Sequence, residues 1–87
     1  MKADYGLFFT SNRCSGCMKM KPVIEKLYDE GYKIKFIDFN VNRRFCVSHH
    51  VTSIPTLILK TNDGIEIKRW TGRVRPEEIK KVLNKNA

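Results

Sequence analysis

Two cysteines separated by two residues, Cys14-Ser15-Gly16-Cys17, sit where an extended apolar run gives way to a helical stripe. That junction constrains the chain more than any other feature. Tyr5-Gly6-Leu7-Phe8-Phe9-Thr10 is short, aromatic and almost continuously apolar, as a buried central strand is. Thr10-Ser11-Asn12-Arg13 reads as a polar loop. Beyond the cysteines, Met20, Val23, Ile24, Leu27 and Tyr28 recur at the spacing of one helical face. Glu30-Gly31 ends that helix, with Gly31 as a left-handed cap. Pro22 falls inside it, where it removes a hydrogen bond and bends the axis.

The remaining pattern is legible in the same way. Lys33 to Phe39 predicts a second strand, and Val41 to Val51 fits either a short helix or a loop. Thr56-Leu57-Ile58-Leu59-Lys60 predicts a third strand. Asn62-Asp63-Gly64 is a strong hairpin signal, and Ile65, Ile67 and Trp70 belong to a fourth strand. Pro76 opens a last helix, with Glu77 and Glu78 in its first turn and Ile79, Val82 and Leu83 as its stripe. The order is β-α-β-(α)-β-β-α. A helix joins the first two strands, so they should be parallel with a right-handed crossover. The last two should form an antiparallel hairpin. The fold class is α/β, with a mixed four-stranded sheet. The 87 residues form one domain, 1–87, too small to enclose a large cavity, so an active site should lie near its surface.

Lys and Arg number 17 against 9 Asp and Glu, a formal charge of +8. Such a surplus attracts acidic partners. The charges are scattered, however, and no aromatics interleave with them as a stacking platform would need, so nucleic acid is not expected. No apolar run approaches the roughly 20 residues that cross a bilayer, so no membrane association is expected. The N-terminus has no long apolar segment of the secretory type. Three cysteines, Cys14, Cys17 and Cys46, are an odd number for a disulfide-stapled secreted domain. The expectation is a cytoplasmic protein in which Cys-x-x-Cys does redox chemistry or binds metal.

Placed at a helix N-terminus, Cys14 faces unsatisfied N–H groups and the positive end of the helix dipole. Both favour thiolate, as does the charge of Arg13, and thiolate is the attacking species in disulfide exchange. Cys17 lies one turn on, close enough to close a small ring. Cys14 is therefore expected to attack a partner's disulfide, and a more buried Cys17 to resolve the mixed disulfide. Ser15 and Gly16 are small and leave the Cys14 sulfur accessible. The rival reading is structural zinc, since Cys46-Val47-Ser48-His49 would complete a Cys₃His set. The interval between the two halves is wide for a finger. Cys46 alone is expected to be a buried or half-buried free thiol behaving as a small hydrophobe. His49 and His50 are expected at the surface, with no role.

With Cys-x-x-Cys at the first strand–helix junction and Ser53-Ile54-Pro55-Thr56 before the third strand, the chain resembles the thioredoxin/glutaredoxin superfamily. Pro22, Gly64 and Gly72 fall in register with that resemblance, which covers essentially the whole chain. The extra N-terminal strand and helix of full-length thioredoxins are missing, so the expected fold is thioredoxin-like and minimal, of glutaredoxin size. The resemblance implies a cis bond at Pro55, lying against the cysteines. It also implies that the Ile54 backbone pairs with the substrate chain, and that Gly72 lets the partner's backbone approach. A proline there weighs against metal. Two positions depart from the pattern. Phe8 and Phe36 stand where thioredoxins carry a buried Asp and Lys, an apolar wall that supplies no base. Arg13 replaces the usual tryptophan.

Those departures point to glutaredoxins and to the small glutaredoxin-like redoxins that feed ribonucleotide reductase. Thr10-Ser11-Asn12-Arg13 and Trp70-Thr71-Gly72-Arg73-Val74-Arg75-Pro76-Glu77 are similar to their motifs. Gly72 is followed by Arg73, and no acid is evident to hold the amino group of glutathione. A separate reductase is at least as suitable a reductant as glutathione. The expectation is thus a monomeric dithiol–disulfide oxidoreductase of protein disulfides, with ribonucleotide reductase as first partner and no cofactor or metal. Cys14 and Cys17 are its catalytic pair. Arg13, Ser15, Gly16, Ile54, Pro55, Gly72 and Arg73 form its substrate groove, and Arg75 adds charge. Alternatives are a glutathione-dependent glutaredoxin, a redox-inert adaptor on the same fold, and a Cys₃His zinc module binding nucleic acid.

Overall fold

The structure is a computed structural model and describes residues 1–85. Its elements follow the expected order: β1 (Tyr5–Thr10), α1 (Ser15–Asp29), β2 (Ile34–Asp38), α2 (Arg43–Ser48), β3 (Thr56–Lys60), β4 (Glu66–Thr71) and α3 (Pro76–Val82). The strands form one sheet in the order β2-β1-β3-β4. β1 pairs with β2 in parallel, whereas β3 is antiparallel to both β1 and β4. This is the mixed α/β sheet of the sequence reading.

Because strand side chains alternate between faces, β1 serves two cores at once. Phe8 points to a layer with Met20, Ile24 and Leu27 of α1, Leu57 and Leu59 of β3, and Ile79 and Leu83 at the α3 end. Leu7 and Phe9 point the other way, to Ile37, Cys46, Val51 and Ile58. Burying each such aliphatic or aromatic side chain stabilises the fold by about 1.5–3 kcal/mol. β1 and β3 are thus apolar on both faces, as central strands must be. β4 is an edge strand with no buried residue.

Three expectations needed adjustment, and one open choice is decided. Tyr28 stands on the apolar spacing of α1 yet is 56% exposed. It lies at the border of the stripe and meets Phe36 edge-on, the ring centroids 6.3 Å apart. The second strand is shorter than 33–39. Ile65 is not in the fourth strand but closes the hairpin loop. Its carbonyl accepts from Thr61 N–H at 2.9 Å and its own N–H donates to Thr61 Oγ1 at 3.1 Å. The ambiguous stretch after Val41 forms a short helix with one buried residue, Cys46. No helix of the described residues is long and apolar enough to cross a membrane.

Candidate active site

Cys14 is the N-cap of α1. Its backbone is extended, at φ −108° and ψ 115°, and its carbonyl already accepts the first helical bond from Met18 N–H at 3.0 Å. Its Sγ accepts from Cys17 N–H at 3.1 Å. The cap geometry therefore turns the sulfur toward the free N–H groups of the first turn. No acidic residue occupies that turn, so nothing competes for its positive potential. Cys14 and Cys17 are joined as a disulfide, with Cα atoms 5.1 Å apart. Cys14 is half-buried and Cys17 completely buried, an asymmetry set by the helix. Residue 14 lies at its mouth, whereas residue 17 is on the inward face, three positions before Met20.

The second wall of the site comes from the segment before β3. The Ile54–Pro55 peptide bond is cis, as the resemblance implies. The Ile54 carbonyl oxygen lies 3.8 Å from Cys14 Sγ, across 40 residues of sequence. Gly16 makes this approach feasible: a Cβ on it would come within 3.3 Å of Pro55 Cδ. The Pro55 carbonyl accepts from Gly72 N–H at 2.7 Å. Gly72 has φ +90°, a conformation costly for side chains with a Cβ. Thr56 Oγ1 donates to Ser53 O at 2.8 Å and pins the turn from inside. The structure thus brings Cys14, Cys17, Gly16, Ile54, Pro55 and Gly72 together. Ser15, Arg13 and Arg73 flank them as exposed side chains, and Arg75 is exposed two residues beyond.

Phe8 is buried, as the apolar wall requires, and meets Phe36 edge-on at 5.8 Å. Phe36 itself is 37% exposed, so that wall is closed on one side only. Trp70 is half-buried against the Phe8 layer, opposite Leu57.

Sequence reasoning missed three arrangements. Asn40 Nδ2–H donates to Ser11 Oγ at 3.1 Å, tying the loop after β2 to the loop before Cys14. His49 is half-buried rather than superficial, and its Nδ1 lies 2.9 Å from Phe45 O. Arg69 on β4 reaches across to the end of α2, where Nη2–H donates to His49 O at 2.8 Å and Nη1–H to His50 O at 3.3 Å. The same guanidinium binds Glu66 through Nε–H at 2.6 Å and Nη2–H at 2.7 Å. That hydrogen bonding holds the Glu66 carboxyl below its ordinary value of 4.5. Such contacts leave no local signal, because they depend on which strand lands beside which helix end.

Arg69 anchors the helix end from which Val51-Thr52-Ser53 leads into Ile54-Pro55. Arg69→Ala is expected to cost about 1–2 kcal/mol in urea unfolding, mostly from the freed helix carbonyls rather than the exposed pair. The contribution of the pair is present above the ordinary Glu66 value and is lost as pH falls through the depressed one. The variant should also raise KM for a protein disulfide while leaving Cys14 alkylation unchanged. An unaltered KM would show that the clamp does not reach the groove.

Cys46 is a free, buried thiol, as expected. Burial pushes its thiol above the ordinary 9.0, against the opposing charge of Arg43. It packs with Phe9 and Ile58 on the sheet face opposite α1. The proposed Cys₃His set is therefore not assembled. Among the described residues no three His, Cys, Asp or Glu side chains cluster in a way that could hold a metal ion.

Residues 2–87 match the thioredoxin-like domain family. The chain is 33% identical over 81 residues to a thioredoxin of Chlamydia pneumoniae, covering 91% of this chain and 78% of that protein. It is 34% identical over 80 residues to a thioredoxin of Listeria monocytogenes, covering 88% and 77%. Among solved structures, Fasciola hepatica thioredoxin superposes with a TM-score of 0.81 at 24% identity, over 93% of this chain and 83% of that one. Thioredoxin 1 of Thermosipho africanus gives 0.74 at 26% identity, over 86% and 84%.

Proposed function

The chain belongs to the thioredoxin-like family and is a thiol–disulfide oxidoreductase, and from that premise we propose that it reduces protein disulfides, Cys14 attacking and Cys17 resolving. The observation that carries the assignment of roles is the asymmetry of the pair: a half-buried Cys14 beside the Ile54 carbonyl and a fully buried Cys17. In the reduced protein, the Cys17 N–H that reaches Cys14 Sγ stabilises negative charge on that sulfur. The Cys14 thiolate attacks one sulfur of the substrate disulfide. A Cys14–substrate disulfide forms, and the other substrate sulfur leaves as thiolate and takes a proton from water. Cys17 loses its proton and attacks Cys14 Sγ. The Cys14–Cys17 disulfide closes and the substrate departs as a dithiol. Phe8 supplies no base behind this step, so the Cys17 proton leaves through water or the partner.

Ile54 offers its backbone to an extended substrate segment, as in strand addition. Pro55, Gly16 and Gly72 shape that groove. The reaction needs no group beyond the two sulfurs, and a dithiol reductase is at least as suitable a source of electrons as glutathione. Glutathione would need a carboxylate for its amino group, and Arg73 occupies the place after Gly72. A reducing cytoplasm suits a chain whose third cysteine remains a free thiol. Catalytic acceleration of insulin reduction by dithiothreitol tests the activity, and turnover no faster than dithiothreitol alone would overturn it.

Ribonucleotide reductase is the first candidate partner, on the likeness of residues 70–77 to the redoxins that serve it. Exposed Arg13, Arg73 and Arg75 beside the groove suit a partner that is acidic around its disulfide. Arg73→Glu with Arg75→Glu should lower kcat/KM for such a partner by about tenfold at low salt, with the difference shrinking as salt rises. Rates equal to the parent's at all ionic strengths would remove charge steering from the reading.

A further inference from the structure

We propose that the sheet face opposite α1, at the end remote from the cysteines, binds a small amphiphilic anion: an aromatic or aliphatic body bearing one carboxylate or sulfonate. The register of three strands builds the site. Tyr5 lies opposite Lys60 and Leu7 opposite Ile58 across the β1–β3 pair, and Leu7 opposite Lys35 across β1–β2. Leu7 and Ile58 belong to the layer around Cys46, so alternation puts Tyr5, Lys60 and Lys35 on that face too. The middle strand supplies an apolar floor, and the strands on either side supply lysines.

The helical cover on this face is α2, whose six residues leave the sheet open beside Phe45 and His49. What remains is a groove of about 610 Å³, in the range that holds small organic ligands. Phe45 and His49 form one wall, their rings 4.3 Å apart, and Lys33, Lys35 and Lys60 line the rest of its rim. No lining residue is acidic. Among the neighbouring carboxylates, Asp4 accepts from Asn62 N–H, Asp38 from Asn40 and Val41 N–H, and Glu66, which also feels the charge of Lys60, is held by Arg69.

The polar wall is held in place. Arg69 fixes the His49 carbonyl, and the His49 ring sits against Phe45 O through Nδ1. With Nδ1 as donor, Nε2 is an acceptor, and Lys60 Nζ lies 3.2 Å from it. In that tautomer Lys60 Nζ donates one N–H to the ring and has further N–H groups to offer. It is poised for an anion beside an aromatic surface. A neutral apolar ligand would make no use of the three lysines that line the groove, and a compact inorganic anion would leave the floor wet. The amphiphilic anion satisfies both.

The test uses 8-anilino-1-naphthalenesulfonate, an aromatic sulfonate, followed by fluorescence and by amide NMR. Expected is saturable one-to-one binding with shifts at Leu7, Phe45 and His49 and none around Cys14. Lys60→Met should weaken it at least tenfold, and Lys35→Met supplies a second variant should the first fail to fold. Lys80→Met, on the opposite face, should leave it unchanged. N-phenyl-1-naphthylamine, the same ring system without the sulfonate, should bind at least tenfold more weakly. Absence of saturable binding, equal binding of the neutral compound, indifference to both lysine substitutions, or shifts centred on Cys14 would each overturn the proposal.

Discussion

Cys14→Ser reduces insulin no faster than dithiothreitol alone, whereas Cys17→Ser also stops turning over but accumulates a stable mixed disulfide. The two outcomes differ because the two sulfurs do different work. A serine hydroxyl at position 14 is un-ionised near neutral pH and cannot displace a thiolate, so no covalent step begins. With Cys17 replaced, the first exchange proceeds at the half-buried Cys14, and no second sulfur is positioned to release the partner. Non-reducing electrophoresis reads the trapped species directly. The measurement is decisive on roles: trapping by Cys14→Ser rather than Cys17→Ser would exchange the assignments, and full activity of Cys14→Ser would end them.

Phe8→Ala costs about 3–5 kcal/mol of unfolding free energy. Its ring is 1% exposed in the layer shared by α1, β3 and α3, and truncation leaves a void that three elements cannot close together. A domain of this size holds on the order of 5–10 kcal/mol in total, so the variant should melt at least about 15 °C lower. Phe36→Ala is the matched control. It removes the same ring from the edge strand, where 37% of it is already in water, and should cost only about 1 kcal/mol. Equal losses in urea titrations of the two variants would contradict the placement of Phe8 at the centre of that layer.

Much of this architecture could be read from the residues. The strand before Cys14, the stripe of α1, the Asn-Asp-Gly hairpin and the Pro76 start are each encoded locally, by period or by turn chemistry. The catalytic pair was legible for the same reason, since its meaning lies in a strand–helix junction. α2 was not, because a six-residue helix with Cys46 as its one buried side chain leaves no stripe to detect. Tyr28 and Phe36 misled because apolar character predicts burial only when a neighbour covers the position, and both stand at the uncovered border beside the edge strand. The Arg69 clamp and the Lys60–His49 contact were out of reach altogether. Each joins residues whose proximity is fixed by sheet register and by where α2 ends, quantities set by the whole fold.

The Ile54 carbonyl stands beside Cys14 only because β1 and β3 are neighbours, and Gly72 bonds Pro55 only because β4 closes on β3. The oxidised ring of Cys14 and Cys17 needs four residues; the cleft that makes it selective needs nearly the entire polypeptide. A denatured molecule therefore retains an ordinary dithiol with no preference among partners. Catalytic discrimination should appear and vanish with cooperative assembly of the sheet, so that turnover doubles as a gauge of nativeness.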